Sequence, residues 1–150
     1  MEFLPPLAEL TTALVRVARL YRLGVDEALS ALDLSDALAL PVVLIGRQPD
    51  GVRQNALAYE LGVEGPSLVR LLDRLVQAGL VERRADPTDR RAKTVHLTEA
   101  GRWHSQQATQ ALDAFRAHLL GDLPEPDIEA MLRVLRTVEA RLLTARRESR

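Results

Sequence analysis

Apolar residues recur at helical spacing near both ends of the chain. Near the start, one apolar position follows another every three or four residues: Leu7, Leu10, Leu14, Val17 and Leu20. The same spacing returns near the end: Ile128, Leu132, Leu135, Val138 and Leu142. The pattern predicts an amphipathic helix that runs to Leu32 and another after Pro124, with a further long helix starting after a Thr98 cap.

The middle of the chain has shorter segments. Ser35 is the predicted N-cap of a helix that runs to about residue 45. Two short helices are predicted over residues 53–61 and 65–78, closed by Gly62 and Gly79. Residues 80–84 and 94–97 read as strands on either side of a polar turn. The order predicts a mainly α protein with a small β hairpin.

The two short helices, with only three residues between them, form a predicted helix-turn-helix. The second helix has two distinct faces: Leu68, Leu72 and Leu75 should pack inward, and Ser67, Arg70 and Arg74 should face outward. An arginine can donate to both major-groove acceptors of guanine, and a serine can reach a base or a phosphate. The outward row therefore suits the major groove of DNA, while an ordinary helical hairpin remains the alternative.

The turn of the predicted hairpin is too cationic to be core. We expect Arg91 to enter the adjacent minor groove, whose negative potential attracts a guanidinium, and Arg90 to contact phosphate. Asp89 is expected to hold one of these arginines by a charge-assisted hydrogen bond. Lys93 completes the predicted DNA-binding set of a winged helix-turn-helix.

Charge is distributed unevenly along the chain. The formal net charge is −1. Residues 65–96 contain seven cations and four anions, which gives +3, so the remaining residues carry −4. This asymmetry is typical of a surface that faces phosphate, although a solvated charged face is the alternative.

Other classes of function find little support. The chain has no cysteine, which excludes disulfides, thiol redox sensing and thiolate metal sites. It has no H-E-x-x-H, no G-x-S-x-G and no phosphate-cradling glycine loop, so we expect neither an enzyme nor a bound cofactor. Its histidines are not spaced as a metal site. With no signal-peptide pattern and no apolar run long enough to span a membrane, the cytoplasm is the expected location.

The central motifs carry a family resemblance. The segment LAxxLGVEGPSLVRLLDRL over residues 57–75, followed by GLVER, DRRAK and LT, closely resembles the MarR family. The runs PSLVR and DRRAK are most similar to its SlyA branch. The resemblance is strong over residues 53–101, and the flanking helices match in order and length only.

The resemblance implies a homodimer on a palindromic operator, usually acting as a repressor. The whole chain, 1–150, would be a single MarR-type domain. Residues 1–32 and 102–148 would form a dimerisation layer, and residues 35–100 would form the winged helix-turn-helix lobe.

Many members of the family release DNA when a small aromatic carboxylate binds. The resemblance places Arg16 and Arg19 as carboxylate anchors and Ala39 and Val43 at the second-helix positions of the same pocket. The SlyA relatives have larger aromatic and imidazole groups at those second-helix positions. Three alternatives stay open: an ion-pair role for the two arginines within the dimer layer, a regulator without a ligand, and a winged helix used for protein contacts.

Overall fold

A computed structural model describes residues 4–32, 36–89 and 92–148. The predicted cap Ser35 and the predicted groove residues Arg90 and Arg91 lie outside these ranges. In chain order the described elements are α1 (Leu4–Leu29), α2 (Asp36–Gly46), β1 (Val52–Arg53), α3 (Gln54–Leu61), α4 (Gly65–Gln77), β2 (Val81–Ala85), β3 (Lys93–Leu97), α5 (Glu99–Leu120) and α6 (Glu125–Glu148). The chain divides into two compact units, one up to Phe115 and one from Arg116 onward.

The three strands form one antiparallel sheet in the order β1-β3-β2. Val81 pairs with Leu97 and Arg83 with Val95, as expected for the predicted hairpin. The mainly helical fold with a small sheet is therefore confirmed. Strand β1 was not predicted, because two residues are too short to show alternation, and only its pairing with β3 defines it.

The core of the first unit lies between its helices and one face of the sheet. Its buried apolar residues come from α1 to α5 and all three strands, and the largest fully buried side chains are Leu29, Val42, Val43, Ile45, Leu57, Leu72, Leu75, Val95 and Leu112. Burying one such side chain contributes about 1.5–3 kcal/mol. Helix α2 is apolar almost throughout and runs unbroken past Pro41, which is itself buried.

The helix ends around α3 and α4 follow the predicted glycines. Gly62 has φ 64° and ends α3, and Gly79 has φ 69° just after α4. A residue with a side chain pays a steric cost in this left-handed region, whereas glycine does not. The connection between the two helices is thereby kept short.

Helices α1 and α6 expose apolar side chains in their respective units. In α1, Leu7, Leu10, Val17, Leu20 and Leu23 are about half exposed. In α6, all of whose residues the structure describes, no residue is buried, and the exposed apolar side chains include Met131, Leu132, Val134 and Leu142. Apolar surface on this scale is typical of helices that pack against a partner.

Candidate nucleic-acid interface

Helix α4 has the two faces that its sequence predicts. Leu68, Leu72 and Leu75 are each at most 2% exposed, and their burial fixes the rotation of the helix about its axis. Ser67, Arg70 and Arg74 are consequently exposed, as predicted. Among the residues that the structure describes, neither arginine is held in an ion pair, so both guanidiniums are available to a ligand.

The start of α4 presents backbone donors. Glu64 precedes the helix in an extended conformation and makes no side-chain cap, and the first turn holds Pro66 and no acidic residue. The first backbone N–H groups of a helix have no partner within the helix, and the helix dipole is positive there. This end of α4 therefore suits a phosphate group.

The end of α4 is fastened to the base of the hairpin. The Leu80 N–H donates to the carbonyl of Leu75 over 3.0 Å. The Thr98 hydroxyl donates to the carbonyl of Gly79 over 2.6 Å, and its oxygen accepts from the N–H of Gly101 over 3.0 Å. Thr98 thus caps α5, as predicted, and ties α5 to the end of α4.

An ion pair joins the hairpin to α4 directly. Arg83 of β2 donates through Nη2 to Oδ1 of Asp73 over 2.8 Å. The Arg83 side chain is largely buried, and its Nε is a buried nitrogen without a hydrogen-bond partner among the described residues. The sheet and α4 are therefore positioned relative to each other by a charged contact as well as by the core.

The turn of the hairpin is organised by Asp86, a residue that sequence reasoning passed over. Its buried carboxylate accepts through Oδ1 from the Thr88 hydroxyl (2.7 Å) and the Thr88 N–H (2.8 Å). Its Oδ2 accepts from Nε of Arg53 over 2.7 Å, and Arg53 also reaches the Thr88 hydroxyl. The two Thr88 hydrogen bonds and then Arg53 hold the pKa of Asp86 well below its usual range.

Only the local part of this network, the contact between Asp86 and Thr88, could be predicted from the sequence. An aspartate two residues before a threonine is typical of a local turn that the carboxylate closes. Arg53, however, lies 33 residues earlier and reaches Asp86 only because β1 pairs with β3. The orienting role predicted for Asp89 stays a prediction; its N–H donates to Asp86 over 3.3 Å.

The remaining predicted DNA contacts lie on the hairpin. Lys93 is exposed at the start of β3, opposite Ala85. Arg90 and Arg91 are outside the described residues, so their contacts stay predictions. The structure thus places Ser67, Arg70 and Arg74 on one helix and Lys93 on the hairpin, which an ion pair and the core hold beside that helix.

The predicted ligand residues do not share one site in this structure. Arg16 and Arg19 line an open depression of about 560 Å³ along α1, together with Thr11, Thr12 and Val15. Ala39 and Val43 do not line it, because both are buried in the core. A role of Ala39 and Val43 in ligand binding stays a prediction that would require the core to open.

The described ranges offer neither a group of metal ligands nor a membrane-spanning helix. Within residues 4–32, 36–89 and 92–148, no three histidine or acidic side chains are grouped as metal ligands. Over the same residues, no helix has both the length and the apolar character needed to cross a membrane.

Comparison with known proteins gives a consistent result. A profile of the MarR family matches residues 42–92. The transcriptional regulator PA3341 is 35% identical, with a TM-score of 0.82 over 90% of this chain and 98% of its own. CouR from Rhodococcus jostii RHA1, bound to p-coumaroyl-CoA, is 30% identical, with a TM-score of 0.78 over 86% and 90%. MepR of S. aureus in its DNA-binding conformation is 25% identical, with a TM-score of 0.78 over 88% and 97%.

Proposed function

The chain belongs to the MarR family of transcriptional regulators, and from this premise we propose that it represses transcription as a homodimer bound to a palindromic operator. The observation that carries the proposal is the outward row of α4. Ser67, Arg70 and Arg74 are exposed on a helix whose opposite face is locked in the core. A helix held in this way can enter a major groove without reorganisation.

The homodimer is supported by the apolar surfaces of α1 and α6. Leu10, Leu20 and Leu132 are each about half exposed, together with their helical neighbours. A second copy of the chain would cover such surfaces, and a two-fold dimer presents two recognition helices to successive major grooves. A palindromic operator would match that symmetry. The assignment to the SlyA branch remains a prediction from the motifs.

The test begins with selection of an operator from random duplexes, followed by fluorescence anisotropy across a salt series. We expect the affinity to fall steeply with salt, because the protein displaces counterions from phosphates. Arg70→Ala should cost about 1–3 kcal/mol and relax base preference at one position of each half-site. Arg133→Ala on α6 is the matched control and should bind like wild type.

Two outcomes would contradict this assignment. If no duplex is enriched and the salt dependence is flat, the winged helix serves protein contacts instead. If Arg91→Ala binds the operator as tightly as wild type at physiological salt, the minor-groove assignment of the hairpin tip is wrong. A uniform loss across sequences for Arg70→Ala would assign that residue to phosphate.

We further propose that a small aromatic carboxylate, or its acyl thioester, releases the regulator from DNA. Arg16 and Arg19 present two guanidiniums beside Val15 in the α1 depression, and guanidiniums bind carboxylate and phosphate groups well. CouR supports the class of ligand, since its bound molecule is p-coumaroyl-CoA. A true ligand raises stability by RT ln(1 + [L]/Kd).

The experiment is a thermal-shift screen with salicylate, p-coumarate and p-coumaroyl-CoA. A shift that Arg16→Ala or Arg19→Ala abolishes, and that Arg133→Ala keeps, supports the ligand site. If none of the three compounds shifts the wild type, or if the two α1 variants keep the full shift, this part of the proposal fails. DNA binding would then be controlled without a ligand in the α1 depression.

A further inference from the structure

A second, smaller pocket lies where the α2–β1 turn meets the sheet and the start of α5. Its volume is about 130 Å³. Three basic side chains from three different elements line it: Arg84 of β2, His96 of β3 and Arg102 of α5. The rest of the lining is Gly46, Gln48, Pro49 and Leu97. No carboxylate is part of this lining among the described residues.

The three basic groups are held in place by neighbours. Arg102 donates through Nη1 to the carbonyl of Leu97 over 3.1 Å. The Nε2 atom of His96 lies 2.9 Å from the Thr94 hydroxyl, in hydrogen-bond contact. Among the residues that the structure describes, Arg102 makes this one side-chain hydrogen bond, and because a guanidinium has five N–H donors, most of them remain for a ligand.

The pocket is separate from the proposed DNA surface. The register pairs Glu82 with His96, so these two side chains and Arg84 lie on one face of the sheet. Arg83 lies on the opposite face, where it bonds Asp73 of α4. Arg84 and His96, the two basic side chains that the strands contribute to the pocket, therefore lie across the sheet from α4.

We propose that this pocket is a binding site for a small free oxyanion, a phosphate or a short carboxylate. Its volume is about 130 Å³ and three basic side chains line it, which suits a small oxyanion. Guanidinium groups donate pairs of parallel hydrogen bonds to either kind of anion. Glu82 accepts from Nε of Arg84 over 2.8 Å and offsets part of the positive charge.

The experiment is isothermal titration calorimetry on the full chain without DNA. Sodium phosphate and sodium acetate are titrated separately, in chloride buffer of matched ionic strength, which distinguishes the two anions. Wild type is compared with Arg84→Gln and Arg102→Gln, which remove lining charges, and with Glu82→Gln, which removes the competing carboxylate. Arg16→Gln reports on any anion that binds in the α1 depression instead, and Arg133→Gln is the matched control, because it removes an exposed guanidinium that lines neither pocket.

We expect wild type to bind one anion per chain. Arg84→Gln and Arg102→Gln should each bind it at least about tenfold more weakly, because each variant loses a charge-assisted hydrogen bond. Glu82→Gln should bind more tightly, and Arg133→Gln should bind like wild type. Arg102→Gln also loses the hydrogen bond to the Leu97 carbonyl. If Arg102→Gln does not fold for this reason, the affinity of Arg84→Gln decides the result. The absence of saturable binding by either anion, or a loss confined to Arg16→Gln, would overturn the proposal without affecting DNA binding.

Discussion

Replacing Gly101 by alanine should destabilise the protein, although the same substitution at a solvent-exposed helical position usually stabilises the helix. Gly101 is buried in the first turn of α5. A Cβ built on Gly101 would overlap the carbonyl oxygen of Leu80 and lie 3.3 Å from a methyl group of Leu97. The Leu80 carbonyl belongs to the backbone and accepts the Thr98 N–H over 3.0 Å, so it cannot turn aside as a flexible side chain could.

The magnitude follows from three terms. Alanine in place of glycine favours a helix by up to about 1 kcal/mol. Overpacking costs about 1–3 kcal/mol, and weakening the Thr98 to Leu80 hydrogen bond costs about 0.5–1.5 kcal/mol. When the first term is subtracted from the sum of the other two, the net destabilisation of Gly101→Ala should be about 0.5–3.5 kcal/mol, centred on about 2 kcal/mol. Gly65→Ala is the matched control, because Gly65 is also in the first turn of a helix and has no atom within 4 Å of its Cβ position.

Urea unfolding followed by circular dichroism measures the difference, at one fixed protomer concentration so that the proposed dimer contributes equally to every variant. With a slope of about 1–3 kcal/mol per molar, the midpoint of Gly101→Ala should fall by about 0.5–2 M. Gly65→Ala should unfold at or slightly above the wild-type midpoint. A Gly101→Ala midpoint equal to or above that of wild type would refute the close approach of α5 to Leu80.

Three further predictions concern the core and the hairpin. Leu72→Ala should lower the free energy of unfolding by about 2–5 kcal/mol, because a fully buried side chain leaves a cavity, and a loss below about 1 kcal/mol in urea unfolding would contradict its burial. Asp86→Asn should weaken operator binding and lower the unfolding midpoint at neutral pH, because the carboxylate shapes the hairpin turn and its hydrogen bonds stabilise the folded state; unchanged affinity would show that operator binding needs no such support. The folded pKa of Asp86 is lowered, so its stabilisation is present above the unfolded pKa of about 3.9 and is lost as pH falls through the folded pKa. Below about pH 4, wild type should therefore lose more stability than Asp86→Asn, and parallel pH profiles would contradict this.

The sequence by itself determined the order of the helices and the two faces of helix α4. The apolar spacing of Leu68, Leu72 and Leu75 predicted their burial, and the exposure of Arg70 and Arg74 follows from the same periodicity. The glycines at the ends of α3 and α4 were also predicted from the sequence, because their role depends on local backbone conformation. These features are all set by residues a few positions apart.

Tertiary structure decided the contacts between distant residues. Strand β1 exists through its pairing with β3, and that pairing brings Arg53 to Asp86, a contact in the turn that spacing along the chain does not predict. The burial of Ala39 and Val43 likewise depends on how α2 packs among the other elements of its unit, which spacing along α2 cannot show. Periodicity specifies which side of an element is apolar, but the partner that covers that side is chosen only when the whole chain packs.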